Sequence, residues 1–299
     1  MMSEKKAIVI LGTTGMIGST VAKYLTSHDI KVTEVNRTHE VAVANNEVIK
    51  FDAQRADIRT LYEQIPRNSL ILNLYGLIRH KINEQSASSI REAEEINSIL
   101  PRQMEKYSHQ YEHRIIQIGT DCVFSGRKGQ YNEKSNKDPL DIYGISKKNG
   151  EVNSSQLMLL RVSVIGKEVK SHNELLDWVI KSERSATLPG FTNHYWNGIT
   201  ALHLAKILNA IIVNDLFQTV NRHLVPADSC SKYELLKLIR HYGNRKDLFI
   251  EPTEALSAVD RRLSTMFPDF NSMIWAAAGH NNLPTICEMV EEYFEVSRG

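Results

Sequence analysis

The sequence predicts a doubly wound α/β fold, in which helices cover both faces of a parallel sheet. Short apolar runs alternate with longer amphipathic runs through the first half, and a glycine-rich turn directly follows the first apolar run. Beyond Gly166 the pattern changes, and helical segments dominate. Strands separated by helices need crossover connections, which favour parallel pairing. The C-terminal third is therefore expected to be a smaller lobe packed on the sheet domain, with a cleft between them.

The individual elements follow from apolar runs and their periodicity. Strands are predicted at Ala7–Leu11, Lys31–Val35, Glu47–Phe51, Leu70–Leu74, Arg114–Ile118 and Leu157–Ser163. Helices are predicted at Met16–Ser27, from about Ser88 to His109, in NELLDWVIKS, and at Thr200–Val213, Ser231–Tyr242 and Thr285–Phe294. The polar, aromatic segment FTNHYWNGIT is predicted to be a loop. These elements predict a sheet domain at residues 1–165. Residues 166–299 are predicted to form mainly the lobe, and some of their segments can return to the sheet domain.

Composition excludes several classes of partner. The 36 basic residues nearly balance the 35 acidic ones, so neither nucleic-acid nor membrane-surface binding is expected. The cysteines Cys122, Cys230 and Cys287 are odd in number and far apart, which suits a reducing compartment. None belongs to a C-x-x-C pair, so a structural zinc site is not expected and no metal is predicted. The N-terminal apolar run is too short for a signal peptide or a membrane span, and the protein is predicted to be cytoplasmic.

The glycine turn predicts a dinucleotide site. The segment GTTGMIG places Gly12, Gly15 and Gly18 between the first strand and the first helix. Such a turn lets a pyrophosphate approach the backbone at the helix N-terminus, where free N–H groups and the macrodipole favour anions. The alternative is a glycine-rich turn with a purely structural role.

The end of the second strand indicates which cofactor binds. An acidic residue there would accept hydrogen bonds from the ribose hydroxyls, whereas an arginine accommodates a 2′-phosphate. Asn36 and Arg37 occupy this place, which favours NADPH, with NADH still possible. The alternative is that Arg37 is only a solvated surface residue. Asp52, after the third strand, could hydrogen-bond the adenine or could simply cap the following turn.

A tyrosine and a lysine four residues apart, in Tyr143-x-x-x-Lys147, form a second motif. This spacing puts both side chains on one face of a helix, one turn apart. The spacing alone does not distinguish a surface pair from a proton-donating centre.

The blocks GTTGMIG, IGTDCVFSGRKGQY and DPLDIYGISKKNGE together resemble extended short-chain dehydrogenase/reductases of the dTDP-4-dehydrorhamnose reductase type. The resemblance continues in LLRVSVIG and, more loosely, in SKYELLKLI and the final helix. It implies a Rossmann-type doubly wound parallel sheet with a smaller C-terminal substrate-binding lobe. It also implies NADPH-dependent reduction of a nucleotide-linked 4-keto-6-deoxy sugar, and it is compatible with a homodimer.

The resemblance assigns the catalytic roles to Thr120, Tyr143 and Lys147. Tyr143 would donate a proton to the carbonyl oxygen that accepts charge during hydride transfer. A free tyrosine, with a pKa near ~10, donates reluctantly, and a neighbouring lysine ammonium lowers that pKa. Lys147 would also bind the nicotinamide ribose, and Thr120 would hydrogen-bond the same carbonyl oxygen.

The resemblance also implies two binding sets. The cofactor set comprises Gly12, Thr14, Gly15, Met16, Ile17, Gly18, Asn36, Arg37, Asp52, Asn73, Tyr143 and Lys147. The substrate set comprises Asp121, Cys122, Val123, Phe124, Asn193 and Trp196. His194, Tyr195 and Trp196 could contact a nucleotide or sugar, and core packing of the aromatic pair is an equal alternative.

Three departures from the family pattern leave the sugar open, and one of them is the segment FTNHYWNGIT. Where the family has a small-residue N-x-A-A turn, this chain has Asn73-Leu-Tyr-Gly-Leu, with the bulky Tyr75. Cys122 stands where rhamnose-pathway reductases often have tyrosine.

Three other functions were weighed. A 4,6-dehydratase is disfavoured, because it needs Thr-Asp-Glu and Cys122 replaces the glutamate. An epimerase–reductase would use Cys122 with a histidine such as His172. A non-catalytic relative, the regulatory subunit of methionine adenosyltransferase, keeps this fold and binds NADP as an interaction module.

Overall fold

The computed structural model describes residues 6–169 and 174–298, so His172 lies outside the described residues. The chain forms two compact units. The first comprises Met1–Val123, Pro139–Arg161 and Leu216–Asn221, and the second comprises Phe124–Asp138, Val162–Asp215 and Arg222–Gly299.

The described strands, in chain order, are β1 (Ile8–Leu11), β2 (Val32–Asn36), β3 (Glu47–Lys50), β4 (Leu70–Asn73), β5 (Arg114–Gly119), β6 (Leu157–Arg161), β7 (Val164–Ile165), β8 (Thr187–Phe191), β9 (His194–Trp196), β10 (Ile199–Thr200), β11 (Asn221–His223), β12 (Cys230–Ser231), β13 (Phe249–Thr253) and β14 (Val259–Asp260). The described α-helices are α1 (Met16–Ser27), α2 (Ile58–Tyr62), α3 (Ala87–Glu94), α4 (Leu100–Tyr111), α5 (Ile142–Asn149), α6 (Leu175–Lys181), α7 (Ala201–Val213), α8 (Lys232–Tyr242), α9 (Pro268–Ala277) and α10 (Ile286–Val296).

A seven-stranded sheet in the order β11-β6-β5-β4-β1-β2-β3 forms the centre of the first unit. Neighbouring strands from β6 to β3 in this order pair in parallel, so the predicted doubly wound parallel sheet is confirmed. The chain runs outward from β1 to β3, and then returns to β4 on the other side of β1. Ligands of such sheets bind at this reversal, outside the carboxyl ends of the strands.

The core explains why the predicted strands read as continuous apolar runs. Val9, Ile71 and Ile115, from β1, β4 and β5, are fully buried in one apolar cluster. A parallel sheet covered by helices on both faces leaves no solvent side, so alternation disappears.

One long helix predicted from about Ser88 to His109 is present with an interruption. α3 and α4 are continuous through a π-helical turn at Glu95–Ile99. Such turns are rare and often occur at functional sites. The interruption buries Asn97 and Ser98, which contact α5.

The second unit combines α6–α10 with three small sheets, β10-β7, β12-β9-β14 and β13-β8. The prediction of a loop at FTNHYWNGIT is wrong, because this segment contains the end of β8 and all of β9 and β10. His194 and Tyr195 pair with Val259 and Asp260, which lie far along the chain. A three-residue strand stabilised by such distant partners has no periodic signal of its own.

Within the part of the chain that the structure describes, no helix is both long and apolar enough to cross a membrane.

Candidate active site

The glycine turn between β1 and α1 is held in a conformation that needs glycine at two positions. Gly12 has a φ of +89°, and a Cβ there would lie 2.9 Å from the Tyr75 Cα. A Cβ on Gly18 would lie 2.2 Å from the Gly12 carbonyl oxygen. Gly12 therefore permits the close approach of the segment after β4, and Gly18 permits the close approach of α1 to the turn.

The first turn of α1 is suited to an anion. Its N-cap is Gly15, which has no side chain to bond the orphan N–H groups, and no acidic residue lies in this turn. By contrast, α2, α3, α5, α7, α8 and α10 all have a side-chain cap. The backbone donors of Met16, Ile17 and Gly18 are thus left for a ligand, beside the predicted Thr14. A dinucleotide pyrophosphate fits these residues.

The end of β2 carries a buried asparagine followed by an exposed arginine. The Asn36 amide donates to Thr13 Oγ1 at 3.1 Å and to the Glu40 carbonyl at 2.7 Å. Its Oδ1 is buried without a hydrogen-bond partner. Arg37 points its charge to the exposed side. Asn36 therefore supports the glycine turn, while Arg37 is available to an anionic ligand.

Asp52 caps the turn after β3. Its Oδ1 accepts the Gln54 N–H at 3.1 Å, and its Oδ2 lies 3.7 Å from Arg55 Nε. These contacts agree with the second of the two roles that the sequence allowed for Asp52, a cap of the following turn rather than a partner of the adenine.

The segment that follows β4 lies close to the glycine turn at Tyr75 and close to Lys147 at Gly76. The Tyr75 ring is half-buried against the apolar cluster of the sheet. Burial raises the pKa of Tyr75, and the nearby Arg37 guanidinium opposes this shift. A Cβ on Gly76 would lie 3.9 Å from Lys147 Nζ. Asn73, at the end of β4, is buried with its Oδ1 unpartnered.

Thr120 follows β5 and begins a 3₁₀ turn at Asp121–Val123. Its buried hydroxyl donates to Asp121 Oδ1 at 3.2 Å and accepts the Cys122 N–H at the same distance. Cys122 Sγ lies 3.7 Å from Asp121 Oδ1, and Val123 is fully buried. Thr120, Asp121 and Cys122 thus form one hydrogen-bonded group at the end of β5.

α5 carries Tyr143 and Lys147 and packs directly on this group. The helix begins at Asp141, whose carboxylate accepts the Gly144 N–H at 2.8 Å. A Cβ on Gly144 would lie 2.3 Å from the Cys122 carbonyl oxygen. Only glycine allows this contact, which brings the residue next to Tyr143 against the turn that follows Thr120.

Lys147 of α5 is half-buried. Its Nζ donates to the Ile118 carbonyl of β5 at 3.1 Å. Burial lowers the pKa of Lys147, and the Glu151 carboxylate acts in the opposite direction. The hydrogen bond therefore fixes the position of the ammonium. Because its surroundings screen charge less than water does, the ammonium lowers the pKa of a neighbouring phenol more strongly.

Two features around this lysine were missed by the sequence interpretation. The Asn97 amide, from the π-helical turn, donates to the Leu77 carbonyl at 2.8 Å and to Ser146 Oγ at 3.0 Å, and its Oδ1 accepts the Leu77 N–H at 2.9 Å. It thereby joins the segment after β4 to α5. The local sequence carries no signal for this role.

The second missed feature is a buried ion pair. Arg161 of β6 donates to both Glu151 oxygens, at 3.0 and 2.6 Å, and both side chains are at most 2 % exposed. The pair fixes the carboxylate that acts on Lys147. The G-E step after the Y-x-x-x-K motif was a usable signal for Glu151.

Three residues of the predicted substrate set belong to the second unit. Phe124 is buried and stacks on Tyr131 at 4.4 Å. The Asn193 side chain donates to and accepts from the Ala255 backbone, at 2.8 and 3.0 Å. Trp196 is 4 % exposed and donates its Nε1–H to Ser163 Oγ at 2.9 Å. For Asn193 and Trp196 these are packing contacts, and their substrate role stays a prediction.

The sheet order and the glycine turn define a protein with a Rossmann-type fold. A family model described as RmlD substrate binding domain matches residues 6–265. The chain therefore belongs to this family, and the resemblance predicted from the sequence is confirmed.

Solved structures with the same fold include two named as dTDP-4-dehydrorhamnose reductases. One, from Bacillus anthracis in complex with NADP, is 21 % identical over 98 % of this chain and 100 % of its own, with a TM-score of 0.73. Another, from Clostridium acetobutylicum, is 20 % identical over 98 % and 100 %, with a TM-score of 0.71. MoeE5, solved with UDP-glucose and NAD, is 14 % identical over 98 % of both chains, with a TM-score of 0.72. A comparison with curated proteins found no match.

Proposed function

We propose that the protein is an NADPH-dependent reductase of a nucleotide-linked 4-keto-6-deoxy sugar. The observation that carries the proposal is the packing of Gly144 on the Cys122 carbonyl, which sets Tyr143 beside the turn that follows Thr120. Lys147 lies below the same helix, near the segment that borders the glycine turn. Family membership and relatives solved with NADP, NAD or UDP-sugars support the cofactor and substrate classes.

The proposed chemistry divides the work among three side chains. Reduced nicotinamide supplies the hydride. Tyr143 donates a proton to the ketone oxygen of the substrate, and Lys147 stabilises the resulting phenolate. Thr120 hydrogen-bonds the same oxygen, which requires its hydroxyl to turn from Asp121 to the substrate.

The cofactor is held by groups that line the end of the sheet. The first turn of α1 binds the pyrophosphate, Arg37 pairs with the 2′-phosphate, and Lys147 bonds the nicotinamide ribose. Arg37 is exposed and the carboxylate of β2, Glu34, is buried and bonded to the Ala42 and Val43 N–H groups. Glu34 is therefore not available to select NADH.

Tyr143→Phe tests the proton donor. We expect kcat to fall by about 10²–10⁴-fold with little change in NADPH affinity, because only the donated proton is lost. Single-turnover reduction and cofactor titration measure the two effects, with Tyr107→Phe as a control of the same chemical change. If Tyr143→Phe keeps more than about a tenth of wild-type activity when chemistry limits the rate, the assignment is wrong.

Arg37→Ala tests the cofactor. A charge-assisted bond to the 2′-phosphate contributes about 1.5–3 kcal/mol, so NADPH should bind roughly tenfold or more weakly while NADH is almost unaffected. Arg67→Ala, on another exposed arginine, is the control. Equal weakening of both cofactors would refute the role of Arg37.

The substrate class needs a separate measurement. Thermal denaturation with dTDP, UDP, GDP and CDP identifies the nucleotide, because a ligand at a hundred times its Kd adds roughly 2.7 kcal/mol. Oxidation of NADPH with the matching 4-keto-6-deoxy sugar nucleotide then tests the reaction. Nucleotide and NADPH binding without turnover of any such sugar would favour a binding module.

A further inference from the structure

Three side chains of the second unit converge although they come from separate elements. His203 lies in the first turn of α7, His280 follows Gly279 beyond the end of α9, and Glu292 lies in α10. One ligand atom from each lies within 4.8 Å of those of the other two. His203 is 1 % exposed, and the other two residues are half-buried.

Both imidazoles leave a buried nitrogen without a hydrogen bond. The Nε2 atoms of His203 and His280 have no hydrogen-bond partner among the described residues. His203 Nε2 lies 3.0 Å from Glu292 Oε2, but the carboxylate oxygen is off the direction in which a ring N–H would point. Buried polar atoms are nearly always paired, so two neighbouring exceptions call for an absent ligand.

The remaining nitrogen of His203 is positioned as in metal-binding histidines. Its Nδ1 lies 2.7 Å from Thr200 Oγ1. When Nδ1–H donates to this hydroxyl, Nε2 carries a lone pair that can bind a metal ion. An oxygen partner on the distal nitrogen fixes ring orientation and tautomer in the same way at many metal sites.

We propose that His203, His280 and Glu292 bind a zinc-type divalent metal ion, with water in the fourth position. Two imidazoles and one carboxylate form a known ligand set for zinc, whereas magnesium and calcium prefer all-oxygen sites. Tetrahedral bonds of about 2.1 Å place neighbouring ligand atoms roughly 3.4 Å apart. His203 Nε2 and Glu292 Oε2 are 3.0 Å apart, and all three ligand atoms lie within 4.8 Å of one another.

The neighbouring Lys206 is compatible with this site. Its Nζ contacts Glu292 Oε1, whereas Oε2 faces His203. The carboxylate therefore has one oxygen for the lysine and one for the metal. The metal would join the start of α7 to the two C-terminal segments of the unit.

Metal titration of the chelator-treated, full-length protein tests the proposal. We expect one Zn²⁺ per chain by calorimetry and by competition with a chromogenic chelator, together with a rise in Tm, and no effect of Mg²⁺. His280→Gln and Glu292→Gln should weaken Zn²⁺ binding by at least about 100-fold, whereas His241→Gln, on the exposed His241 of α8, should not. Stoichiometric binding that survives His280→Gln, or no binding by folded wild-type protein, would overturn the proposal.

Co²⁺ gives a test that does not depend on any variant folding. The wild-type protein should produce the intense visible bands of tetrahedral Co²⁺, and a weak octahedral spectrum would contradict the proposed ligand set. Thr200→Val should weaken Zn²⁺ binding by about 10–100-fold, and Thr200→Ser should restore it, because serine keeps the hydroxyl that orients His203.

Discussion

Replacing Asn97 with leucine should remove hydrogen bonds that hold the candidate site together, without changing a residue predicted to be catalytic. Leucine has a similar size but removes all three bonds, to the Leu77 N–H, the Leu77 carbonyl and Ser146 Oγ. Each backbone group left unpaired costs about 1–3 kcal/mol when buried. Leu77 is half-buried and has partial access to water, so we expect a total loss of about 2–4 kcal/mol. For a chain of this size that corresponds to a fall in Tm of roughly 3–6 °C.

The same change should weaken NADPH binding by about tenfold, because Leu77 follows the segment that borders both Gly12 and Lys147. Thermal unfolding and cofactor titration measure the two effects on one sample. Asn97→Asp, which keeps the acceptor for the Leu77 N–H, should fall between Asn97→Leu and wild type, and the exposed Asn149→Leu is the control. A Tm within about 2 °C of wild type, or a large loss of stability with NADPH affinity unchanged, would refute the role assigned to Asn97.

Three further changes test other parts of the first unit. Gly18→Ala places a Cβ 2.2 Å from the Gly12 carbonyl oxygen, whereas the Cβ of Gly15→Ala makes an ordinary 3.4 Å contact with the same oxygen. Calorimetry should therefore find that only Gly18→Ala destabilises the protein. Both variants should lose NADPH affinity. Glu151→Gln should lower the free energy of unfolding in urea by about 3–5 kcal/mol, because it removes the carboxylate charge that pairs with the buried Arg161. The double variant Glu151→Leu with Arg161→Met should recover most of that loss, and equal stability of the two variants would contradict this. Burial lowers the pKa of His113 to about 4 from 6.5, so the unfolded chain binds its proton first, and Tm should fall as the pH drops from 6.5 to 4. In His113→Gln this fall should be shallower, and an unchanged slope would exclude His113 as its source.

The sequence predicted the parts of the site that are local in the chain. The glycine turn and Tyr143-x-x-x-Lys147 each lie within one turn or one helix, so their spacing alone determines which side chains face together. The six parallel strands β1 to β6 were predicted from short, mainly apolar runs, which are also local in the chain. Their order in the sheet agrees with the fold implied by the family resemblance.

The sequence could not reveal features that depend on distant partners. Asn97 acts on residues 20 and 49 positions away, and a lone asparagine within a helix predicts nothing about them. β9 exists because β12 and β14 pair with it, both from much later in the chain. Cysteine spacing gives no signal for a metal, and His203, His280 and Glu292 meet only after three elements have packed together.

The bulky Tyr75, which departs from the small-residue turn of the family, does not argue against cofactor binding. Its ring packs against the apolar cluster of the sheet, and only its Cα approaches Gly12. A Cβ on the next residue, Gly76, would lie 3.9 Å from Lys147 Nζ, which is an ordinary contact. The Arg37 guanidinium is close enough to the Tyr75 phenol to oppose the rise in its pKa. Because an aromatic ring can stack on a base, this departure is compatible with a dinucleotide and changes only how its adenosine end would be bound.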